Sequence, residues 1–400
     1  MREIVLAIKD YLMSEILPAT ENIGPPLSEY VEQDERTRRL CPPVMRRLRD
    51  AGHFKLFLPK SLGGQEASPL AVARLVENIA RHNPAAAWSI MVANAGNWWS
   101  KYLPAKGVEE IFLNDHDVFT AGAFNAPMMA SRVKNGYSVT GQIPLCSNVH
   151  EAKWVGALSM VAVDGTPVFV NGMPEMRAVF MRVSECKIVD TWQALGMRAT
   201  DSNDIAADKV FVPDHRSFLM SPEAPLSEYH AGPLYRYPVV GINGCSLVIP
   251  VALGIAASAV EEMTALGEKT ALGSPVKLKE KGSFQRQLGM AEALVRSSRA
   301  YLHQTMGDVW ARVQSGEAAT LDDKAALLLA ATSTIRSCVQ AVDLVYGAAG
   351  TSGVYDRSRI SRHFRDIQVV RHHGFGCEAR FETAAQLMFG SMPDFLPAAL

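Results

Sequence analysis

An excess of charge of either sign is missing from this 400-residue sequence: 40 lysines and arginines stand against 41 aspartates and glutamates, a formal net charge of −1. No long single-sign run compensates, so the basic stripe that a nucleic acid backbone requires is absent. The six cysteines, at 41, 146, 186, 245, 338 and 377, include no CxxC pair. That spacing argues against a zinc site and against a disulfide framework, and it fits a reducing, cytoplasmic setting with no metal. Neither a GxGxxG fingerprint nor a P-loop occurs, which excludes a built-in NAD(P)H site of that type. The opening MREIVLAIKDYLMSEI carries charges throughout its apolar stretch and does not read as a secretory signal. From Val239 to Val260 there is no charged residue at all, a length that would suit a membrane span. Asn243, Ser246, Pro250, Ser258 and three glycines dilute its apolarity, and the segment reads as a helix buried inside a soluble bundle.

With 48% hydrophobic residues, the chain can bury a sizeable core. Residues 1–115 read as helices, because apolar positions recur at three- and four-residue steps in Ile4 to Ile16, Val44 to Leu48 and Leu70 to Ile79. The Pro59-Lys60-Ser61-Leu62-Gly63-Gly64 corner marks a tight connection between the last two. A helix pair over Ala85 to Leu103 contains Trp88, Trp98 and Trp99. Within 116–221 the period changes to two, in Val118 to Phe124, Tyr137 to Ile143, Trp154 to Val163, Pro167 to Val170, Ala178 to Val183 and Val210 to Val212. Asn135-Gly136 and Asp164-Gly165 supply turns, and the pattern predicts an antiparallel β-domain. In 222–400 the chain returns to helical periodicity, with helices expected over about 240–266, 283–314, 321–346 and 367–391, the count of a four-helix bundle. The fold class is therefore α+β: a helical domain, a central β-domain and a helical bundle.

The most informative stretch is Trp192 to Arg216, WQALGMRATDSNDIAADKVFVPDHR. Turn formers crowd its first half, and Asp208 to Pro213 alternates like a strand that stops at a proline. The Gly-Met-Arg-Ala-Thr-Asp-Ser-Asn-Asp turn followed by Val-Phe-Val-Pro resembles the acyl-CoA dehydrogenase superfamily, and its Ser-Asn-Asp ending resembles the flavin-dependent monooxygenase branch. The order of helices, β-domain and long helices is similar over nearly the whole chain, as is the Pro59 to Gly64 corner.

That resemblance implies a flavin beside the Trp192 to Asn203 loop, with Asn125, Ser147, Trp192, Thr200, Ser202 and Asn203 around the ring and Ser147 near flavin N5. The same serine can also be read as closing a strand through a local turn. Arg365-Asp366 matches the pair that opens the last long helix. Dehydrogenases of the family carry a base eight residues after this aspartate, and here Gly374 occupies that place. The other known position of the base is also empty, since no Asp or Glu lies between Glu228 and Glu261.

His373 stands where monooxygenase relatives resemble one another in having a histidine, and an imidazole titrating near neutrality suits protonation of a C4a-hydroperoxyflavin. If 367–391 is one helix, His372 projects about 100° away from it. Trp98, Trp99 and Phe375 are the expected substrate border. A histidine common on the first-domain helix of relatives is replaced by Gly96, and the dehydrogenase Arg-x-x-Phe-Gly becomes Gln285-Arg286-Gln287-Leu288-Gly289, which suits loosely held flavin.

The implied protein is the oxygenase component of a two-component system, a homotetramer using O2 and reduced FMN or FAD from a separate flavin reductase to oxygenate a small organic substrate, a class that includes aromatic ones. The alternatives are an acyl-CoA dehydrogenase with FAD and a non-standard base, and a helical scaffold without activity.

Overall fold

The computed structural model describes residues 24–115, 118–170, 172–221, 224–271 and 273–400. The helix expected over Ile4 to Ile16 lies outside them. The longer helices of the first part are α1 (Val31–Thr37), α2 (Pro42–Asp50), α3 (Pro69–His82) and α4 (Pro84–Trp99). Local chemistry sets the starts of α3 and α4. Ser68 and Asn83 accept from the amides of Ala71 and Ala86, and each is followed by a proline whose missing N–H costs nothing in the first helical turn. Asn83 thus ends one helix and begins the next. Where two consecutive helices were expected between Ala85 and Leu103, α4 runs as one helix and closes in a single 3₁₀ turn, Ser100–Tyr102.

Ten strands follow among the described residues: β1 (Thr120–Val133), β2 (Gly136–Cys146), β3 (Trp154–Val163), β4 (Thr166–Pro167), β5 (Phe169–Val170), β6 (Met173–Pro174), β7 (Met176–Arg182), β8 (Lys187–Val189), β9 (Asn203–Pro213) and β10 (Ser217–Leu219). The main sheet has the order β10-β7-β3-β1-β2-β9-β8, with β4 paired to β3 and a separate β5-β6 hairpin. It is not wholly antiparallel, because β1 and β3 pair in parallel. The cause is topological. β2 returns antiparallel to β1, and the segment 147–153 then crosses to the other side of β1, so that β3 starts level with it, Trp154 opposite Thr120. That crossing segment begins at Ser147. The short edge strands β8 and β10 have too few residues to show a period in the sequence.

The last part holds α5 (Ile249–Leu266), α6 (Gly282–Gln314), α7 (Leu321–Ala349), α8 (Arg359–Val370) and α9 (Arg380–Met388). The uncharged run does form a buried helix. Its first part, Val240–Val248, is π-helical, a form favoured near functional sites, and the α-helical part has Pro250 in its first turn. Gly254 lets α5 cross α3 closely, since a Cβ there would lie 2.5 Å from that of Ala80. Beside this crossing the buried Glu77 of α3 accepts from Arg299 of α6 at 2.7 Å. Buried side chains from all three parts join in one core cluster.

The helix expected over 367–391 is broken: α8 ends at Val370, and turns occupy 371–379 before α9. Two glycines, Gly374 and Gly376, withdraw helix propensity there. The imidazole of His373 also offers Nδ1 to the Phe375 amide at 3.3 Å, a local bond that competes with the helix. Gly376 is required by packing, because a Cβ would lie 2.4 Å from Ile335 Cδ1.

Gly196 is tighter still. A Cβ there would lie 2.3 Å from the carbonyl carbon of Arg365 and 2.6 Å from the amide of Asp366, backbone atoms of α8 that cannot rotate away. Gly196→Ala is expected to cost about 1–3 kcal/mol or more, read by urea denaturation. Gly307→Ala, in the interior of α6 where a Cβ meets nothing within 4 Å, is expected to stabilise by about 0.4–1 kcal/mol. Equal effects of the two would show that the Gly196 contact is not rigid.

Candidate active site

The site is built where the end of β2, the 192–203 loop and the turn after α8 converge on α4. Four non-glycine residues in the first two segments have left-handed backbones: Leu145 (φ 63), Asn148 (φ 56), Met197 (φ 51) and Asp201 (φ 50). Asn and Asp adopt this conformation readily, whereas for Leu145 and Met197 it persists only where surrounding bonds hold it. The holding bonds are visible. Asn148 N–H donates to Thr200 O at 2.8 Å, and Asn148 Oδ1 accepts from Ser89 of α4 at 2.9 Å. Asp201 accepts from the His150 amide at 3.0 Å and contacts its Nδ1 at 2.9 Å, while Arg39 lies 3.4 Å from the same carboxylate.

Ser147, Ser202 and Thr200 form a buried row of hydroxyls. Trp88 Nε1–H donates to Ser147 Oγ at 3.0 Å; Ser147 and Ser202 are 2.7 Å apart; Ser202 and Thr200 are 2.7 Å apart; Thr200 Oγ1–H donates to Met197 O at 2.9 Å. Asn203 shapes the loop's other end, its Oδ1 accepting from the amides of Thr191 and Trp192 at 3.0 Å each. Trp192 turns its indole N–H inward to the carbonyls of Met197 and Arg198. Ser147, Trp192, Thr200, Ser202 and Asn203 are thereby brought together. Asn125 lies in β1 where the pairing with β3 shifts register, between Ala123 and Met128, and its side chain lies outside the described residues.

The loop is docked on α8. Met197 N–H donates to Asp366 Oδ1 at 2.5 Å, and Arg365 donates to Leu195 O at 3.3 Å. Glu35 of α1 faces both Arg362 and Arg365 at about 3.5 Å. Burial, with Glu35 adding to it, pushes the Asp366 carboxyl up to about 7 against the opposing pull of the Met197 amide and the arginines. The Arg365-Asp366 motif was legible as a register mark, but its work in holding the loop was not.

His373 is half-buried, edge-on to Trp88 at 5.5 Å between ring centroids and stacked on Phe375 at 5.9 Å. Phe375 in turn meets Phe395 edge-on at 5.2 Å. Because Nδ1 accepts from the Phe375 amide, the ring proton sits on Nε2. Burial lowers the imidazole to about 4, so the expectation of titration near neutrality is corrected: the group is a neutral N–H donor at pH 7. The helical geometry expected to separate His372 from His373 does not apply, since both lie in turns; His372 is exposed.

Trp98 and Trp99 do not border the site. Trp98 is fully buried, with its Nε1–H on Leu234 O at 3.2 Å and the Lys101 ammonium 3.5 Å from its ring centre; Trp99 stacks on Phe218. Both sit about three turns along α4 from Trp88, roughly 15 Å at 1.5 Å per residue. Trp88 is the tryptophan that faces Ser147 and His373. Aromatics in a helix look alike in sequence, and only packing separates them. Gly96 has a packing cause too, since a Cβ would lie 2.1 Å from Thr120 Oγ1.

The family model for the C-terminal domain of acyl-CoA dehydrogenase matches residues 247–376, and that for its N-terminal domain matches 18–104, together more than half of the chain. The chain belongs to the acyl-CoA dehydrogenase family. Within it, the chain is 28% identical to an indole-3-acetate monooxygenase of Pseudomonas putida over 90% of each chain. It is 27% identical to the flavin-dependent monooxygenase oxygenase subunit HsaA of Rhodococcus jostii, over 93% of this chain and 96% of that one. The solved structure of XiaF from Streptomyces, in complex with FADH2 and glycerol, superposes with a TM-score of 0.87 at 18% identity, over 98% and 99% of the two chains.

Buried histidines give the protein a defined acid response. His53, His230 and His363 are held down to about 4, 3 and 3, all chiefly by burial. Between pH 6.5 and 4 the unfolded chain therefore binds protons that the folded chain refuses, and stability falls as pH falls, by about 1.4 kcal/mol per pH unit for each such histidine. Asp366 has the opposite sign, since its raised carboxyl contributes stability at low pH that is lost as pH rises from about 4 to about 7. Urea midpoints at pH 6.5, 5.5 and 4.5 are expected to decline; a flat series would refute the burial of these rings.

Proposed function

We propose that the protein is the oxygenase component of a two-component flavin-dependent monooxygenase, taking reduced FMN or FAD from a separate reductase and placing one atom of O2 on a small aromatic substrate. The observation that carries this reading is the pair facing Trp88: the buried hydroxyl of Ser147 and the neutral imidazole ring of His373, beside Gly374 where a dehydrogenase would need a carboxylate. The names of the two relatives support it, and the oxygenase-subunit name supports a separate reductase.

The residues present fit a flavin. Ser147 ends the hydroxyl row, and Trp192, Thr200, Ser202 and Asn203 keep that row in place. Asn125, on the strand beside Ser147's crossing segment, is assigned to the same ring. Bound reduced flavin supplies two electrons, and O2 then yields one oxygen atom to the substrate and one to water. His373 keeps its proton on Nε2 and donates a hydrogen bond from it, offering charge stabilisation with no change of its own charge above about pH 5. Phe375, between His373 and Phe395, offers a flat apolar border suited to an aromatic substrate.

A cytoplasmic homotetramer is part of the proposal. The six cysteines are free thiols, and Met388, Phe389 and Met392 expose 63%, 85% and 84% of their surface near the C-terminus, as an assembly face would.

His373→Ala is expected to retain flavin binding and lose about 10²- to 10³-fold in product formation, with the uncoupled oxygen recovered as H2O2. His372→Ala should cost little, since its ring is exposed. Stopped-flow oxidation with product and H2O2 quantified makes the comparison, and equal small effects would remove His373 from the reaction. Acyl-CoA thioesters should leave bound oxidised flavin unreduced under anaerobic conditions. Bleaching by any simple acyl-CoA would favour a dehydrogenase instead.

A further inference from the structure

The hydroxyl row has a direction. Thr200, Ser202 and Ser147 are 1%, 4% and 6% exposed, so each hydroxyl proton needs a protein acceptor. A hydroxyl has one proton to give and two lone pairs to receive with. At one end Trp88 Nε1 can only donate, and at the other the carbonyl of Met197 can only accept. Every proton is satisfied when Thr200 donates to Met197 O, Ser202 to Thr200 and Ser147 to Ser202. In the reverse order Thr200 donates to Ser202 and Ser202 to Ser147, and the Ser147 proton is left pointing out of the row with no protein partner. The first order makes one more hydrogen bond, and it leaves Ser147 with a single free capacity, a lone pair.

We propose that Thr200, acting through Ser202, fixes the Ser147 hydroxyl as a hydrogen-bond acceptor and thereby makes the site select the reduced form of flavin. The inference rests on the reading that places Ser147 at flavin N5. Reduced flavin carries a hydrogen on N5 and can donate to the waiting lone pair without disturbing the row. Oxidised flavin has an unprotonated N5 and needs a donor. Ser147 becomes one only by giving up its bond to Ser202, either by turning its own hydroxyl or by a reversal of all three in which the bond from Thr200 to Met197 is lost, so the gain at N5 is cancelled. The difference between the two redox states is one buried hydrogen bond, equivalent to a ratio of about five- to tenfold in affinity. Thr200 is a positioning residue, because it acts on flavin only through its neighbours.

The test is the ratio of dissociation constants for reduced and oxidised FMN, repeated with FAD, measured anaerobically on the full-length protein. Thr200→Val keeps the shape and removes both the donor to Met197 and the acceptor for Ser202, so the Ser202 proton turns to Ser147 and the Ser147 proton turns outward. The preference for reduced flavin is expected to fall about five- to tenfold, a tenfold change corresponding to about 30 mV in the potential of the bound two-electron couple. Thr200→Ser should restore the wild-type ratio. Ser202→Ala interrupts the row by a different route and should shift the ratio the same way, which keeps the test open if Thr200→Val folds poorly. If Ser147→Ala alters flavin affinity while Thr200→Val and Ser202→Ala leave the ratio within twofold of wild type, the directed row is refuted and the placement of Ser147 stands. If Ser147→Ala changes neither affinity, Ser147 is not at the flavin, and both the placement and the inference fall.

Discussion

The candidate site depends on one contact: the backbone of Gly196 lying directly on the backbone of Arg365 and Asp366, with the next residue's amide bonded to the Asp366 side chain. No side chain separates Gly196 from α8, since a Cβ there would overlap the Arg365 carbonyl, and the Met197 amide donates to the buried Asp366 carboxyl. Met197 is held in a left-handed conformation by this docking, and its carbonyl is the terminus on which the Thr200, Ser202 and Ser147 hydroxyls line up. A loop of the sheet is thereby placed by a helix of the last part of the chain. A buried polar contact of this kind is costly when half made and rigid when complete, which is what a positioned hydroxyl needs.

The same economy governs the other side of the site. Breaking the helix after Val370 places His373 in a turn, where the Phe375 amide takes up Nδ1 and leaves Nε2 to carry the proton. Burial then keeps the ring neutral. Two neutral groups, a hydroxyl and an imidazole ring, meet Trp88 from different directions. A site that must manage oxygen chemistry without a built-in carboxylate base has its protons placed by hydrogen bonding instead of by charge. The surrounding charges, Glu35 with Arg362 and Arg365, and Asp201 with Arg39 and His150, lie behind the loop and support its shape.

Much of this was legible in the sequence. Periods of 3.6 and 2 located the three structural parts, because amphipathic burial imposes them wherever an element has one dry face. The uncharged 239–260 run was recognisable as a buried helix from its polar and glycine content. The loop motif and Arg365-Asp366 identified the family and brought Ser147, Thr200, Ser202 and Asn203 into one neighbourhood, since turn residues with fixed backbone demands leave a readable string.

What the tertiary structure alone decided concerns relations between segments. The parallel pairing of β1 with β3 arises from a crossing that no period records, because local patterning says which face is dry and not which strand lies beside it. The break after Val370 was hidden by apolar spacing that continues through it, and only the packing of Gly376 against Ile335 and the His373 bond to the Phe375 amide reveal it. Trp88, Trp98 and Trp99 share a helix and a residue type, and their separation into site and core came from what surrounds them. The protonation of His373 and Asp366 was decided in the same way. An ionisable group's intrinsic affinity for protons is a property of the residue, whereas the water removed from around it is a property of the fold.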